Sequence, residues 1–115
     1  MTDPTRHVVM ALKAAGIAAF SEVPATRPAR FATVMRTGGG RRGRCMKDAA
    51  FSIDCWGETR RDAAELCEAV EDAVLSLPET DEAAFHAAVE TVYYNPDPDS
   101  GAPRYCANVA VSFCD

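Results

Sequence analysis

Helical spacing and two-residue alternation take turns along this chain, and the switches between them divide it into elements. After Asp3-Pro4, the residues Val8, Leu12 and Ala15 recur on one side of a 3.6-residue repeat. Asp can cap the free amides, Pro fits a first helical turn and Gly16 supplies a stop, so a helix is predicted over 4–15. Residues 17–23 have weak extended character. The segment from Pro24 to Pro28 is expected to be a loop, because its two prolines break either regular structure. Alternation from Phe31 to Thr37 predicts a strand. A further strand is predicted from Met46 to Trp56, with Phe51, Ile53 and Cys55 on one face and Ser52 and Asp54 on the other. Between them, Gly38-Gly39-Gly40-Arg41-Arg42-Gly43-Arg44 predicts a hairpin with a long, mobile, basic tip.

Thr59 and Asp62 then resemble a capping box, with Asp in place of the usual Glu. Ala63, Leu66, Cys67, Val70, Ala73, Val74 and Leu77 hold helical spacing for four turns, while Arg60, Arg61, Glu65, Glu68, Glu71 and Asp72 take the wet side. Pro78 is expected to end that helix. The acidic stretch 79–85 has no clear period. Strands are predicted over Val89 to Tyr94 and Arg104 to Phe113, the second with Tyr105, Ala107, Val109, Val111 and Phe113 alternating against Cys106, Asn108, Ala110 and Ser112. Asn95 to Pro103 carries turn chemistry at almost every position. This order implies an α+β domain: a mainly antiparallel sheet of four or five strands with two or three helices packed on one face.

Composition narrows the picture. A chain of 115 residues fits one domain, taken as 1–115, and 48% hydrophobic with 25% charged residues is ordinary for a globular protein. The formal charge of −5 argues against a general nucleic-acid binder, although the arginines after the glycines form a local basic patch. The start lacks a basic segment leading into a long apolar run, and Val8 to Leu12, closed by Lys13, is too short to span a bilayer. Synthesis in the cytosol and no membrane partner are therefore expected. Five cysteines without a C-x-x-C pair make a disulfide framework or structural zinc site unexpected.

Each candidate for chemistry has a plainer explanation. The glycine run with Arg41, Arg42 and Arg44 lacks the Lys-Ser/Thr and following helix of a phosphate-binding loop. A positive tip facing an acidic neighbour, or DNA passing nearby, fits better. Cys45, between Arg44 and Met46-Lys47, is the cysteine most suited to exposed reactivity, but His7 and His86 are the only histidines and no nucleophile motif surrounds them. Asp97-Pro98-Asp99-Ser100-Gly101 echoes a calcium loop without its remaining ligands, so a rigid turn is expected there. Trp56, Tyr93, Tyr94 and Tyr105 suit core or cross-strand pairs, or interface anchors. No catalytic residue, metal ligand or cofactor site is expected.

Several pieces taken together resemble the tail terminator proteins of long-tailed bacteriophages and prophages, particularly those of actinobacteria. They are Phe31-Ala32-Thr33-Val34 with Thr37-Gly38-Gly39, then Asp48 leading to Asp54-Cys55-Trp56-Gly57, then the long amphipathic helix. The closing segment from Tyr94 to Tyr105 and the opening helix followed by Arg27, Pro28 and Arg30 are similar to that family as well. The chain departs from it in its many cysteines and in the basic extension of the glycine-rich tip. The resemblance implies a structural virion protein that forms a ring, typically a hexamer, on the last ring of the major tail tube protein. Such a ring stops tail growth and presents a joint to the head-tail connector protein, with DNA only in transit. It would be found in the virion tail, and in the host cytoplasm during assembly. Arg41, Arg42, Arg44, Asp97, Asp99 and Arg104 are the candidate assembly contacts, since loops without core duties can serve interfaces. A head-completion or neck protein is the nearest rival. A small-molecule-binding α+β module and a thiol enzyme are more distant ones.

Overall fold

The computed structural model describes residues 3–114. The first helix, α1, runs Pro4–Ala14; Asp3 caps it by accepting from the Arg6 amide, and Gly16 turns the chain at φ +83°. Val8 and Leu12 are buried, whereas Ala15, placed by its spacing on the same face, is the exposed C-terminal cap. A two-residue strand, β1 (Ala19–Phe20), pairs parallel with the start of β2 (Phe31–Arg42). Strand β3 (Met46–Trp56) returns antiparallel to β2. Helix α2 (Arg60–Leu75) is capped by Thr59, whose Oγ1 accepts from the Asp62 amide at 3.1 Å. A single turn, α3 (Leu77–Thr80), leads into β4 (Ala84–Tyr94), and β5 (Arg104–Cys114) closes the described chain.

All five strands form one sheet in the order β1-β2-β3-β5-β4, antiparallel except for β1 against β2. The fold is thus α+β, with the helices packed on one face of the sheet. Alternation explains which face. Ala49, Phe51, Ile53 and Cys55 of β3 and Ala107, Val109, Val111 and Phe113 of β5 point inward with Ala32 and Val34 of β2. They meet Val8 and Leu12 of α1, Leu66, Cys67, Val70 and Val74 of α2, and Leu77 of α3. Burying each large aliphatic side chain there contributes about 1.5–3 kcal/mol. No helix of the described residues covers the other face, which carries Asp48, Ala50, Ser52 and Asp54 of β3 opposite Ser112, Ala110, Asn108 and Cys106 of β5.

Three sequence expectations are corrected. The glycine run is not a mobile tip: Gly38, Gly39 and Gly40 pair with Ala50, Ala49 and Asp48, and Arg41 and Arg42 with Lys47 and Met46. Only residues 43–45 form the turn. Low strand propensity is overridden here because β3 is held along its whole length by β5, which offers β2 a ready ladder. Pro78 does not end the long helix, which stops at Leu75; it occupies the first turn of α3, where its missing amide costs nothing. The fourth strand begins at Ala84 rather than Val89, its early part disguised by irregular pairing at Ala84/His86 and Val89/Thr91.

Within the hairpin the glycines are not equivalent. Gly39 has φ +120°, and a Cβ there would sit 1.9 Å from the Asp48 carbonyl oxygen, whereas a Cβ on Gly40 would meet open space. Gly39→Ala should therefore lower unfolding free energy by about 1–3 kcal/mol through strain and clash. Gly40→Ala should change it by less than about 0.5 kcal/mol. Urea titration of both variants checks the contrast, and equal stabilities would refute it.

Candidate functional site

The six candidate contact residues fall at the two opposite ends of the sheet. Arg41 and Arg42 end β2 and Arg44 lies in the turn, beside the end of β5; Asp97, Asp99 and Arg104 flank the start of β5. Eleven strand residues separate the ends, on the order of 30 Å at the usual rise per residue. They cannot form one site.

At the first end, Arg42 forks onto Asp48, with Nε 2.8 Å and Nη2 2.9 Å from its carboxylate oxygens. Ser112 Oγ donates to Asp48 Oδ1 at 2.7 Å. The Arg42 guanidinium, followed by the Ser112 hydroxyl, holds the Asp48 carboxyl below its ordinary value of 3.8. His86 lies across the ladder from Ser112. These three residue types invite comparison with a nucleophile triad, but the order is wrong. A triad places imidazole between hydroxyl and carboxylate, whereas the Ser112 hydroxyl donates its hydrogen bond to Asp48 directly. Arg41 donates to the Arg44 carbonyl at 2.6 Å, and neither Arg41 nor Arg44 is ion-paired among the described residues. These two are the open cations of the tip.

At the second end the residues have intramolecular duties that the sequence did not disclose. Arg104 Nε donates to the Asn95 carbonyl at 2.8 Å, and its guanidinium lies 4.8 Å over the Trp56 ring. Asp97 accepts from Ser100 Oγ at 2.6 Å and from the Ser100 and Asp99 amides at 3.4 and 3.5 Å. Both are largely enclosed, with side chains 12% and 11% exposed. They build the turn, and only Asp99 stays on its surface. The position of the asparagine and serine around Asp97 was the readable signal for such an Asx-type turn. No group of three or more potential metal-binding side chains occurs among the described residues.

Trp56 stacks on Phe31, its ladder partner, with centroids 5.2 Å apart, and Arg27 lies 5.0 Å from its ring on the same cluster. Tyr94 and Tyr105 pair across β4 and β5 at 5.1 Å, and Arg60 covers Tyr94 at 4.3 Å. The cysteines divide likewise. The Cys55 thiol is pushed well above its ordinary value by its hydrogen bond with Cys67 and then by burial. Cys106 sits between Ser52 Oγ at 3.0 Å and Asn108 Oδ1 at 3.8 Å. Neither has an imidazole partner: His7 bonds to Asp81 and packs edge-on against Phe113. Cys45 is exposed in the turn.

The grooves are equally plain. One of about 620 Å³ lies between α1 and residues 19–24, and smaller ones of about 370 and 440 Å³ run along α1 against α3 and α2. The groove between α1 and α2 is floored by Ala11, Ala14, Ala69 and Ala73, and the hydroxyls of Ser76 and Thr80 at its end beside Asp72 donate to carbonyls of their own helical turns. No helix among the described residues is long and apolar enough to cross a membrane. No protein-family model matches this chain, and neither does any curated protein.

Asp97 has the more enclosed of these carboxylates, held below its ordinary 3.8 first by the Ser100 hydroxyl. A depressed carboxyl stabilises the fold above its unfolded value, and that contribution is lost as pH falls through the lower folded value. The urea midpoint of the wild type should therefore decline as pH drops below about 4. Asp97→Asn should begin lower at neutral pH and show a flatter decline over the same range. A variant curve parallel to the wild type would show that Asp97 does not contribute.

Proposed function

We propose that this chain is a structural subunit of a phage tail that caps the tail tube as a ring and forms the joint to the head connector. The observation that carries the reading is a sheet with two long unpaired edges on opposite sides. Among the described residues β1 covers only Ala32 and Thr33 of β2, leaving Val34 to Arg42 without an outer neighbour, and β4 has β5 on one side alone. Such edges present rows of unpaired backbone donors and acceptors. A contact between two different surfaces of identical copies closes into a ring when its rotation permits. The family resemblance of Phe31-Ala32-Thr33-Val34, Asp54-Cys55-Trp56-Gly57 and the segment from Tyr94 to Tyr105 points to the same role.

Other features accord with a non-catalytic part. Hydroxyl, thiol and carboxylate groups are distributed over an uncovered sheet face and already satisfy one another. The net charge of −5 suits a channel wall past which DNA must slide without adhering. Arg41, Arg44 and Asp99 remain exposed at the two ends of the sheet, which leaves them free, on this reading, to meet tube protein and connector.

Purified protein viewed by negative stain should give annular particles, alone or on tail tubes. Strict monomers that neither form annuli nor bind tube subunits would overturn the reading; binding to the portal-side adaptor instead would identify a neck protein. Charge reversal of the tip, Arg41→Glu with Arg44→Glu, should reduce the yield of joined particles without changing the melting temperature. Arg42 is best left intact, because it holds Asp48. Full yield from the double variant would remove the tip from the joint.

A further inference from the structure

The two unpaired edges carry opposite charge. β2 holds Arg36, Arg41 and Arg42, the last of them paired with Asp48 of β3, and no carboxylate, while β4 holds Glu90 and His86 and neither Lys nor Arg. Arg36 donates only to the backbone carbonyls of Gly38 and Asp48, at 3.2 and 3.5 Å, and Glu90 is exposed on an irregularity of the ladder. The layer behind β4 adds to the contrast. Ala69 and Ala73 of α2 line the groove against α1. Glu71, about 200° round the helix from Ala69, is therefore on the opposite flank, towards β4. Its carboxyl is raised by burial and by Glu68 and Asp72 nearby, a repulsion with no cation to relieve it among the ion pairs of the described residues. Each edge also exposes large apolar side chains, Met35 on β2 and Phe85, Val92 and Tyr93 on β4.

We infer that the β2 edge of one copy pairs antiparallel with the β4 edge of the next, and that Arg36 and Glu90 select this joint. The inference rests on the ring reading above and specifies its interface. β2 and β4 already run in opposite directions within one sheet, so rotating a copy about an axis along the strands brings them together antiparallel. The ladder also sets the level. Arg36 is opposite Phe51, Phe51 opposite Val109 and Val109 opposite Val89, the residue before Glu90. In an unshifted register Arg36 of one copy therefore stands level with Val89 of its neighbour, next to the bulged Glu90. Pairing of like edges is disfavoured: β2 on β2 sets arginines against arginines, and β4 on β4 sets Glu90 beside its own kind. The charges choose a head-to-tail contact, which closes into a ring, over a two-fold dimer.

A charge-swap mixing experiment tests this. Arg36→Glu and Glu90→Arg are made separately, each checked for wild-type circular dichroism, and assembly is followed by sedimentation velocity. Each variant alone should need roughly tenfold more protein to assemble than the wild type. An equimolar mixture should recover wild-type assembly, because in an alternating ring every β2–β4 contact again joins opposite charges. If the single variants assemble normally, or stay impaired when mixed, this joint is overturned while wild-type annuli would leave the ring reading standing. If the wild type itself never assembles, both fail.

Discussion

Strands β3 and β5 are laced together over eleven rungs, from Met46–Cys114 to Trp56–Arg104, with no bulge, and everything else hangs from that ladder. Their inward side chains supply the floor on which α1 and α2 lie. Their outer neighbours, β2 and β4, inherit their register. The glycine-rich end of β2 illustrates the dependence: three glycines with little strand preference of their own are extended because β3 beneath them is already immobilised. The tolerance for bulges follows the same gradient, being absent in the central pair and present in both outer ones.

With the core between sheet and helices, the polar groups are left to the uncovered sheet face, to the sheet's two ends and to the outer side of α2. Their ion pairs are mostly exposed: Arg30 with Asp62 and Glu65, Arg61 with Glu65, Arg42 with Asp48. Pairs of that kind contribute at most about 1 kcal/mol each, so they shape the surface more than they stabilise it. What distinguishes this molecule is where its charge lies. Arginine gathers along one outer strand and carboxylates along the long helix, and each set is only partly neutralised, by Asp48 on Arg42 and by Arg30 and Arg61 on Asp62 and Glu65.

The strong periods were legible. α2, β3 and β5 follow from Leu66, Val70 and Val74 and from the alternation around Phe51 and Val109, since burial on one face leaves a regular signature. The failures occur where that signature is broken. Phe85 and Glu90 occupy irregular positions in β4, so half of a genuine strand lost its alternation. Gly38 to Gly40 spoke for a loop, and only the neighbouring strand made them part of a ladder. For the candidate contacts, residue type was a poor guide to freedom. Arg104 and Asp97 looked like spare loop charges, yet the pairing of Arg104 with Trp56 depends on a register that no local pattern reveals. Arg41 and Arg44, by contrast, are exposed as expected, although Arg41 belongs to the strand and only Arg44 to the turn.

The stacking around Trp56 has a practical corollary. This is the only indole in the chain, and it is 5% exposed, pressed on Phe31 and flanked by the guanidinium groups of Arg27 and Arg104. Its fluorescence therefore reports one pole of the sheet alone, where the proline-rich loop and the final turn meet the last rung. An optical signal from that pole can be followed independently of events at the arginine tip, giving the molecule a built-in sensor whose spectrum separates loosening of one extremity from dissolution of the whole.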